Sequence, residues 1–195
     1  MKIYKSSELN EVINLIKNDG VVCVPTDTVY GICARINSKK SYDKLVEVKN
    51  RPSNKHFPVM CANKKQIENI AIIDERINKI IDAFMPGPIT LILNKKSDDL
   101  INNGVPTIAL RMAPTKELEE IMKSVGPIFM TSANQSGKEV CNTIEKVQES
   151  CPLLDGILEG NVSYNEASTI VDLTKNDIKI LRDGPIKIED IKKII

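Results

Sequence analysis

Arginine is scarce in this lysine-rich chain: Arg35, Arg51, Arg76, Arg111 and Arg182 are all of it. A guanidinium offers a rigid planar fork that matches a carboxylate or a phosphate, so an arginine closing an apolar run is a candidate anion partner. Arg111 closes Thr107-Ile108-Ala109-Leu110, and Arg182 closes Ile178-Lys179-Ile180-Leu181 ahead of Asp183-Gly184-Pro185. Arg51 follows Lys49 in Lys49-Asn50-Arg51-Pro52. Arg35 and Arg76 are read as solvated charges or surface ion pairs. Lys49, Arg51 and Lys55 form a dense positive cluster beside His56, the single histidine. Such a cluster can neutralise a triphosphate, grip an RNA backbone, or be solvated. The interleaved aromatics that would stack bases are missing, so a small phosphorylated ligand fits better.

Short polar residues gather where apolar runs stop. Val21-Val22-Cys23-Val24-Pro25 leads into Thr26-Asp27-Thr28-Val29-Tyr30-Gly31; Pro127-Ile128-Phe129-Met130 leads into Thr131-Ser132-Ala133-Asn134-Gln135-Ser136-Gly137; and Ala167-Ser168-Thr169 precedes Ile170-Val171-Asp172. Each could be an ordinary turn or cap, the usual work of Ser, Thr and Asn. Three together, with three strand-end arginines, point to one polar pocket beyond strand ends.

Much chemistry is excluded. One histidine and no G-x-S-x-G turn leave little for a Ser/His/Asp or Cys/His nucleophile. There is no phosphate-binding loop of the G-x-x-x-x-G-K-[ST] or G-x-G-x-x-G type. Cys23, Cys33, Cys61, Cys141 and Cys151 are odd in number and scattered, as expected for reduced, mostly buried fillers and not for metal or redox pairs. The net charge of +1 leaves any anion binding to a local site. No signal peptide and no membrane-length apolar run is seen, so a cytoplasmic location is expected.

The elements that must position these residues follow from periodicity. Leu9, Val12, Ile13 and Ile16 recur at helical spacing after a cap at Ser6 or Ser7, and Gly20 stops that helix before a strand from Val21. Further helices are expected over Ser41–Lys49, from Asp74 to the Pro86-Gly87-Pro88 stop, over Thr115–Val125, over Thr143–Gln148 and from Ile188. Strands are expected at Phe57–Cys61, Thr90–Leu93, Thr107–Arg111, Pro127–Met130, Gly156–Leu158, Ser168–Leu173 and Ile178–Arg182, the last two joined at Asn176-Asp177. Strands and helices do not alternate strictly, so an α/β fold with a twisted mixed sheet is expected. With 195 residues, 42% hydrophobic, and no linker, one domain over 1–195 is expected.

Seven segments in order, Pro25-Thr26-Asp27-Thr28-Val29-Tyr30-Gly31, Lys49-Asn50-Arg51-Pro52, Pro86-Gly87-Pro88-Ile89-Thr90, Thr107-Ile108-Ala109-Leu110-Arg111, Thr131-Ser132-Ala133-Asn134-Gln135-Ser136-Gly137, Ser168-Thr169-Ile170-Val171-Asp172 and Leu181-Arg182-Asp183-Gly184-Pro185, resemble the YrdC-type threonylcarbamoyl-AMP synthase family. The resemblance spans nearly the whole chain. It implies a YrdC/RibB-like sheet, flanked by helices, with a deep concave basic cavity. Longer relatives carry an extra C-terminal domain, and a single domain without it is the expectation here.

The implied reaction joins L-threonine, bicarbonate or CO2, and ATP into threonylcarbamoyl-AMP with release of pyrophosphate, the first step of a threonylcarbamoyl modification of tRNA adenosine. By motif, Thr28, Tyr30, Arg111 and Ser168 would bind threonine; Arg51, Lys55, Thr107, Ser132 and Arg182 would bind ATP; and Lys49, Arg51 and Asn134 would act at the reacting groups. Mg2+ is expected on the phosphates, with no protein metal ligands, and tRNA or the tRNA-modification proteins that use the product are implied partners. Some relatives have Glu at Asp27, a change of one methylene; some have His at Met60, so a polar contact to threonine is expected to be absent here; and some have a hydroxyl residue at Val140 that touches the nucleotide. Two other readings are a double-stranded RNA-binding module without catalysis, disfavoured by the neutral net charge, and a carbamoyl-transfer domain of the hydrogenase-maturation type, disfavoured by the missing companion segments.

Overall fold

The computed structural model describes residues 1–52, 55–97, 104–162 and 167–195. The strands are β1 (Lys2–Tyr4), β2 (Val22–Pro25), β3 (Tyr30–Arg35), β4 (Val59–Cys61), β5 (Ile89–Asn94), β6 (Thr107–Met112), β7 (Ile128–Ser132), β8 (Gly156–Leu158), β9 (Thr169–Asp172) and β10 (Lys179–Arg182). The helices are α1 (Leu9–Lys17), α2 (Lys39–Lys49), α3 (Lys64–Ile70), α4 (Glu75–Phe84), α5 (Lys116–Val125), α6 (Ile144–Ser150) and α7 (Ile188–Lys192). All ten strands join one sheet in the order β1-β8-β2-β3-β7-β4-β6-β5-β9-β10, parallel at β1–β8, β8–β2, β4–β6 and β5–β9 and antiparallel elsewhere. The expected mixed sheet is therefore observed.

Because side chains alternate across a strand, the sheet builds two cores. One face buries Tyr30, Ile32, Val59, Leu91, Leu110 and Phe129 together with Leu45 of α2 and Ile77, Ile80 and Ile81 of α4. The other buries Val22, Val24, Cys33, Met60, Ile128 and Met130 under Val12 and Ile16 of α1 and Leu118, Ile121 and Met122 of α5. All five cysteines are buried and free, as expected.

Local signals explain most boundaries. Ser38, Asp74, Thr115 and Thr143 each accept a hydrogen bond from an amide of the first turn of α2, α4, α5 and α6, at 3.2, 2.7, 3.3 and 3.3 Å. The expected cap at Ser6 or Ser7 is corrected: both lie in a 3-10 turn, Ser6–Glu8, and α1 begins only at Leu9. Three elements lack an expectation. Only Ile67 of α3 is fully buried, so its polar sequence shows no stripe; β1 has three residues; and β3 hides behind the polar Thr26–Thr28 turn, which makes β2 and β3 an antiparallel hairpin and not a strand running out into a loop. Arg76 is also more than a surface charge. It reaches from α4 to the carbonyls of Asn176 and, at 2.9 Å, Lys175, and so tethers the β9–β10 turn.

Candidate active site

A cavity of about 240 Å³ opens on the sheet face that carries α1 and α5 and spans strands from β3 to β10. Met60 and Met130 supply apolar lining, and the polar lining is Thr26, Thr28, Thr131, Ser132, Thr90, Ser168, Arg51, Arg111 and Arg182. Three of the chain's five arginines thus face one space, as the sequence suggested.

Arg111, next to last in β6, is buried at 7% exposure. Its Nη2 pairs with the Asp27 carboxylate, its Nη1 donates to Thr28 Oγ1 at 3.1 Å, and its Nε donates to the Gly87 carbonyl at 3.1 Å. The Pro86-Gly87-Pro88 turn therefore does more than end α4. A Cβ at Gly87 would lie 2.5 Å from the Phe84 carbonyl oxygen, so only glycine lets this turn present its carbonyl to Arg111. Burial lowers the Arg111 pKa, and Asp27 opposes that shift. Arg111 and Asp27 set opposite charges side by side, a pattern complementary to an amino-acid zwitterion.

Across the cavity, Arg182 ends β10. Its Nε donates to the Ser168 carbonyl at 2.9 Å and its Nη2 to Ser168 Oγ at 3.1 Å, while Thr90 Oγ1 lies 2.8 Å from the same Ser168 hydroxyl. The strand order brings them together: Ile170 of β9 pairs with Thr90 on one side and Arg182 on the other. Gly184 packs directly on this segment, since a Cβ there would lie 2.4 Å from the Thr169 nitrogen. Partial burial lowers the Arg182 pKa, and repulsion from Arg111 adds to it.

Arg51 enters from the end of α2. Asn50 caps that helix in the left-handed conformation, φ 44° and ψ 52°, one of the few side chains that tolerate it. The chain then turns so that the Arg51 guanidinium lies 4.6 Å from the Phe57 ring centroid and donates to the carbonyls of Lys55 at 3.0 Å and His56 at 2.5 Å. Among the described residues, no carboxylate pairs with Arg51 or Arg182.

Lys49 differs from the expectation of a cationic cluster. Its side chain is 2% exposed and turns inward, where the ammonium donates to the Ser132 carbonyl at 2.6 Å, to the Asn134 carbonyl and to Asn134 Oδ1 at 2.8 Å. All three of its protons are engaged. Burial pushes its pKa down to about 8, against three oxygens that favour the charged form. Asn134 Oδ1 also accepts from Ser132 Oγ at 2.7 Å, and its Nδ2 donates to the Lys138 carbonyl at 2.6 Å. Lys49 and Asn134 thus hold the Ser132 segment from beneath and are not themselves cavity-lining.

Thr28, Arg51, Arg111, Ser132, Ser168 and Arg182 line the cavity as expected, and Tyr30, Lys55 and Thr107 do not. Tyr30 points to the opposite core and donates its hydroxyl to the Gly160 carbonyl at 2.6 Å. Lys55 is exposed, and Thr107 sits at the start of β6, opposite Asn94, at the other end of the strand from Arg111. Sequence reasoning missed Thr26 and Thr90. Thr26 follows Pro25 at the end of β2 and Thr90 follows the Pro86-Gly87-Pro88 turn, both within the quoted segments, and a threonine close behind a proline at a strand end was the available signal.

A family model named for Sua5, YciO and YrdC, and described as telomere recombination, matches residues 14–184. A Methanocaldococcus jannaschii protein, provisionally named threonylcarbamoyl-AMP synthase, is 33% identical over 98% of this chain and 97% of its own length. The Pyrococcus abyssi threonylcarbamoyl-AMP synthase is 34% identical over 92% of this chain but only 55% of its own length. A crystal structure of P. abyssi Sua5 complexed with L-threonine superimposes with a TM-score of 0.91 at 28% identity, covering all of this chain and 60% of that one.

Proposed function

We propose that this chain, which belongs to the Sua5/YciO/YrdC family, is an L-threonylcarbamoyl-AMP synthase: it consumes L-threonine, bicarbonate or CO2, and ATP, and releases pyrophosphate. The observation that carries this reading is the asymmetry of the cavity. Arg111 is compensated by Asp27 beside the Thr28 hydroxyl, while Arg51 and Arg182 carry no carboxylate partner among the described residues. The first arrangement suits a hydroxylated amino acid; the second suits phosphates. A purely RNA-gripping role is disfavoured, because the guanidinium groups converge on a cavity and do not spread over a surface.

In this reading the threonine carboxylate lies against Arg111 and its hydroxyl against Thr28. The amine adds to CO2 and loses a proton, a carbamate oxygen bonds to the α-phosphorus, and the bond to the β-phosphate oxygen breaks with its electron pair leaving on pyrophosphate. Arg51 and Arg182 stabilise that departing charge, and Ser132 flanks the nucleotide. Lys49 and Asn134 act by fixing the Ser132 segment and not by touching substrate. Lys55 and Thr107 are left without a ligand role. Among the described residues no three Asp, Glu, His or Cys side chains converge, so Mg2+ would come bound to the ATP phosphates as part of that substrate. The product serves tRNA modification. Among the described residues no helix is long and apolar enough to cross a membrane.

Incubating the protein with ATP, labelled bicarbonate and each amino acid in turn tests this. A labelled adenylate and pyrophosphate with threonine are expected; ATP turnover indifferent to the amino acid overturns the reading.

A further inference from the structure

Beneath the polar groups of the cavity, a row of residues crosses neighbouring strands on one face of the sheet. In the order β3-β7-β4-β6 it runs from Gly31 through Met130 and Met60 to Arg111. Met60 is the register partner of Arg111 in the parallel β4–β6 pair, so the two side chains leave the sheet side by side. Met130 pairs with Cys33, one pleat along β3 from Gly31. Its side chain leans over that glycine: a Cβ at Gly31 would lie 2.4 Å from Met130 Sδ and 3.3 Å from Thr26 Cγ2. The bare Gly31 thus lets the thioether rest on the backbone of β3, beside Thr26. Thr26 Oγ1 is in turn 3.0 Å from Thr28 Oγ1, which Arg111 Nη1 reaches at 3.1 Å. The two methionines, Met60 at 1% and Met130 at 8% exposure, therefore floor the part of the cavity bounded by Thr28 and Arg111.

A thioether is an apolar, polarisable surface that suits hydrocarbon and hardly hydrogen-bonds. Met side chains usually adapt to what they meet, but Met130 already lies against Gly31 and the Thr26 methyl and has no lower position to take. We propose that Met130, seated on Gly31, is the specificity-determining residue for the carbon skeleton of the amino acid: it gives a single β-methyl an apolar floor and leaves no depth for a longer β-substituent. This rests on the amino-acid subsite proposed above and goes beyond it by naming what sets side-chain size. Gly31 belongs to the device, because it fixes how low the thioether sits.

Pyrophosphate release by the full chain from L-threonine, L-serine and L-3-hydroxynorvaline, which is threonine with one further methylene, tests the proposal. The readout is the ratio of kcat/KM values, which a general loss of activity leaves alone. In the parent, threonine should exceed hydroxynorvaline at least about tenfold, the scale of one methylene in a closed apolar pocket. Met130→Ala removes the thioether, and that ratio should fall to within about threefold. Gly31→Ala acts in the opposite direction. Its backbone is that of β3, so the new methyl meets the movable Met130 Sδ and lifts it toward the substrate. Threonine should then lose about tenfold or more relative to serine, and adding Met130→Ala should restore the ratio. Threonine and hydroxynorvaline turned over alike by the parent, or an unchanged ratio in a folded Met130→Ala protein, overturns the proposal alone. If Met130→Ala does not fold, an unchanged threonine-to-serine ratio in Gly31→Ala overturns it; if neither folds, the parent's ranking decides. Pyrophosphate release indifferent to the amino acid overturns the functional reading and this proposal with it.

Discussion

Arg182 holds Ser168 twice, through its carbonyl at 2.9 Å and its hydroxyl at 3.1 Å, so the residue assigned to phosphate binding fixes one assigned to the amino acid. The two parts of the cavity share a wall. Moving one disturbs the other, whereas Arg51 is anchored to the carbonyls of Lys55 and His56 and, among the described residues, forms no hydrogen bond with the amino-acid side.

Arg51→Ala and Arg182→Ala should therefore behave differently. Each loses a charge-assisted contact to phosphate, about 1.5–3 kcal/mol, or roughly tenfold to a hundredfold in ATP affinity. Arg51→Ala should leave threonine affinity unchanged, but Arg182→Ala should weaken threonine as well, because Ser168 loses both of its guanidinium contacts. Separate titrations with ATP and threonine read the two effects, and an Arg182→Ala protein with normal threonine binding breaks the coupling.

Arg111→Lys should not be conservative. One guanidinium reaches Asp27, Thr28 and Gly87 in three directions, which a point-charge ammonium cannot reproduce. Threonine affinity should fall about tenfold or more while ATP affinity changes little. Threonine saturation equal to the parent's would make Arg111 structural.

Thr90→Val removes the second partner of the Ser168 hydroxyl, which lies 2.8 Å away in a buried site. The change keeps the volume, so the cost is that of one buried hydrogen bond, about 0.5–1.5 kcal/mol of stability. The threonine KM should rise with kcat nearly unchanged, since Ser168 still keeps Arg182. A KM equal to the parent's argues that Thr90 serves the β5–β9 pairing alone.

The parts of the site legible in sequence were those carried by residue type at the end of a strand or helix. Arg51, Arg111 and Arg182 stood out because the chain otherwise uses lysine, and all three reach the cavity. What composition does not encode is direction. Lys49 and Arg51 are two residues apart, yet the left-handed Asn50 between them sends one into the core and the other to the cavity. Tyr30 and Gly31 are adjacent, but pleating puts the phenol on the far face and leaves only the glycine at the site. The same turn concealed β3, because a cluster of Thr and Asp reads as a loop until the strand pairing of Tyr30 with Pro25 closes the hairpin. The faces covered by α1, α4 and α5 were plain from their apolar spacing, as their buried residues show.

Lys49 gives the chain a measurable pH signature. Its folded pKa of about 8 lies below its ordinary value of 10.5, because burial penalises the ammonium. Between those two pH values the unfolded chain binds a proton that the folded chain has lost, so unfolding free energy rises with pH across the window and the cost of burying the charge is fully present only below pH 8. At about 1.4 kcal/mol per unit of separation, the rise is on the order of 2–4 kcal/mol. Lys49→Met removes it. That variant should be less stable than the parent at pH 7, since the oxygens of Ser132 and Asn134 lose their donor, and the gap should widen toward pH 10 as the parent gains. Groups remote from Lys49 titrate in both proteins and cancel in the difference; the buried thiols of Cys23 and Cys151, which the Lys49 charge holds lower, shift upward in Lys49→Met and are followed separately. Urea midpoints for the two chains at half-unit steps from pH 7 to 10.5 provide the check, and curves that run parallel would mean that the three oxygen acceptors hold the Lys49 ammonium charged throughout.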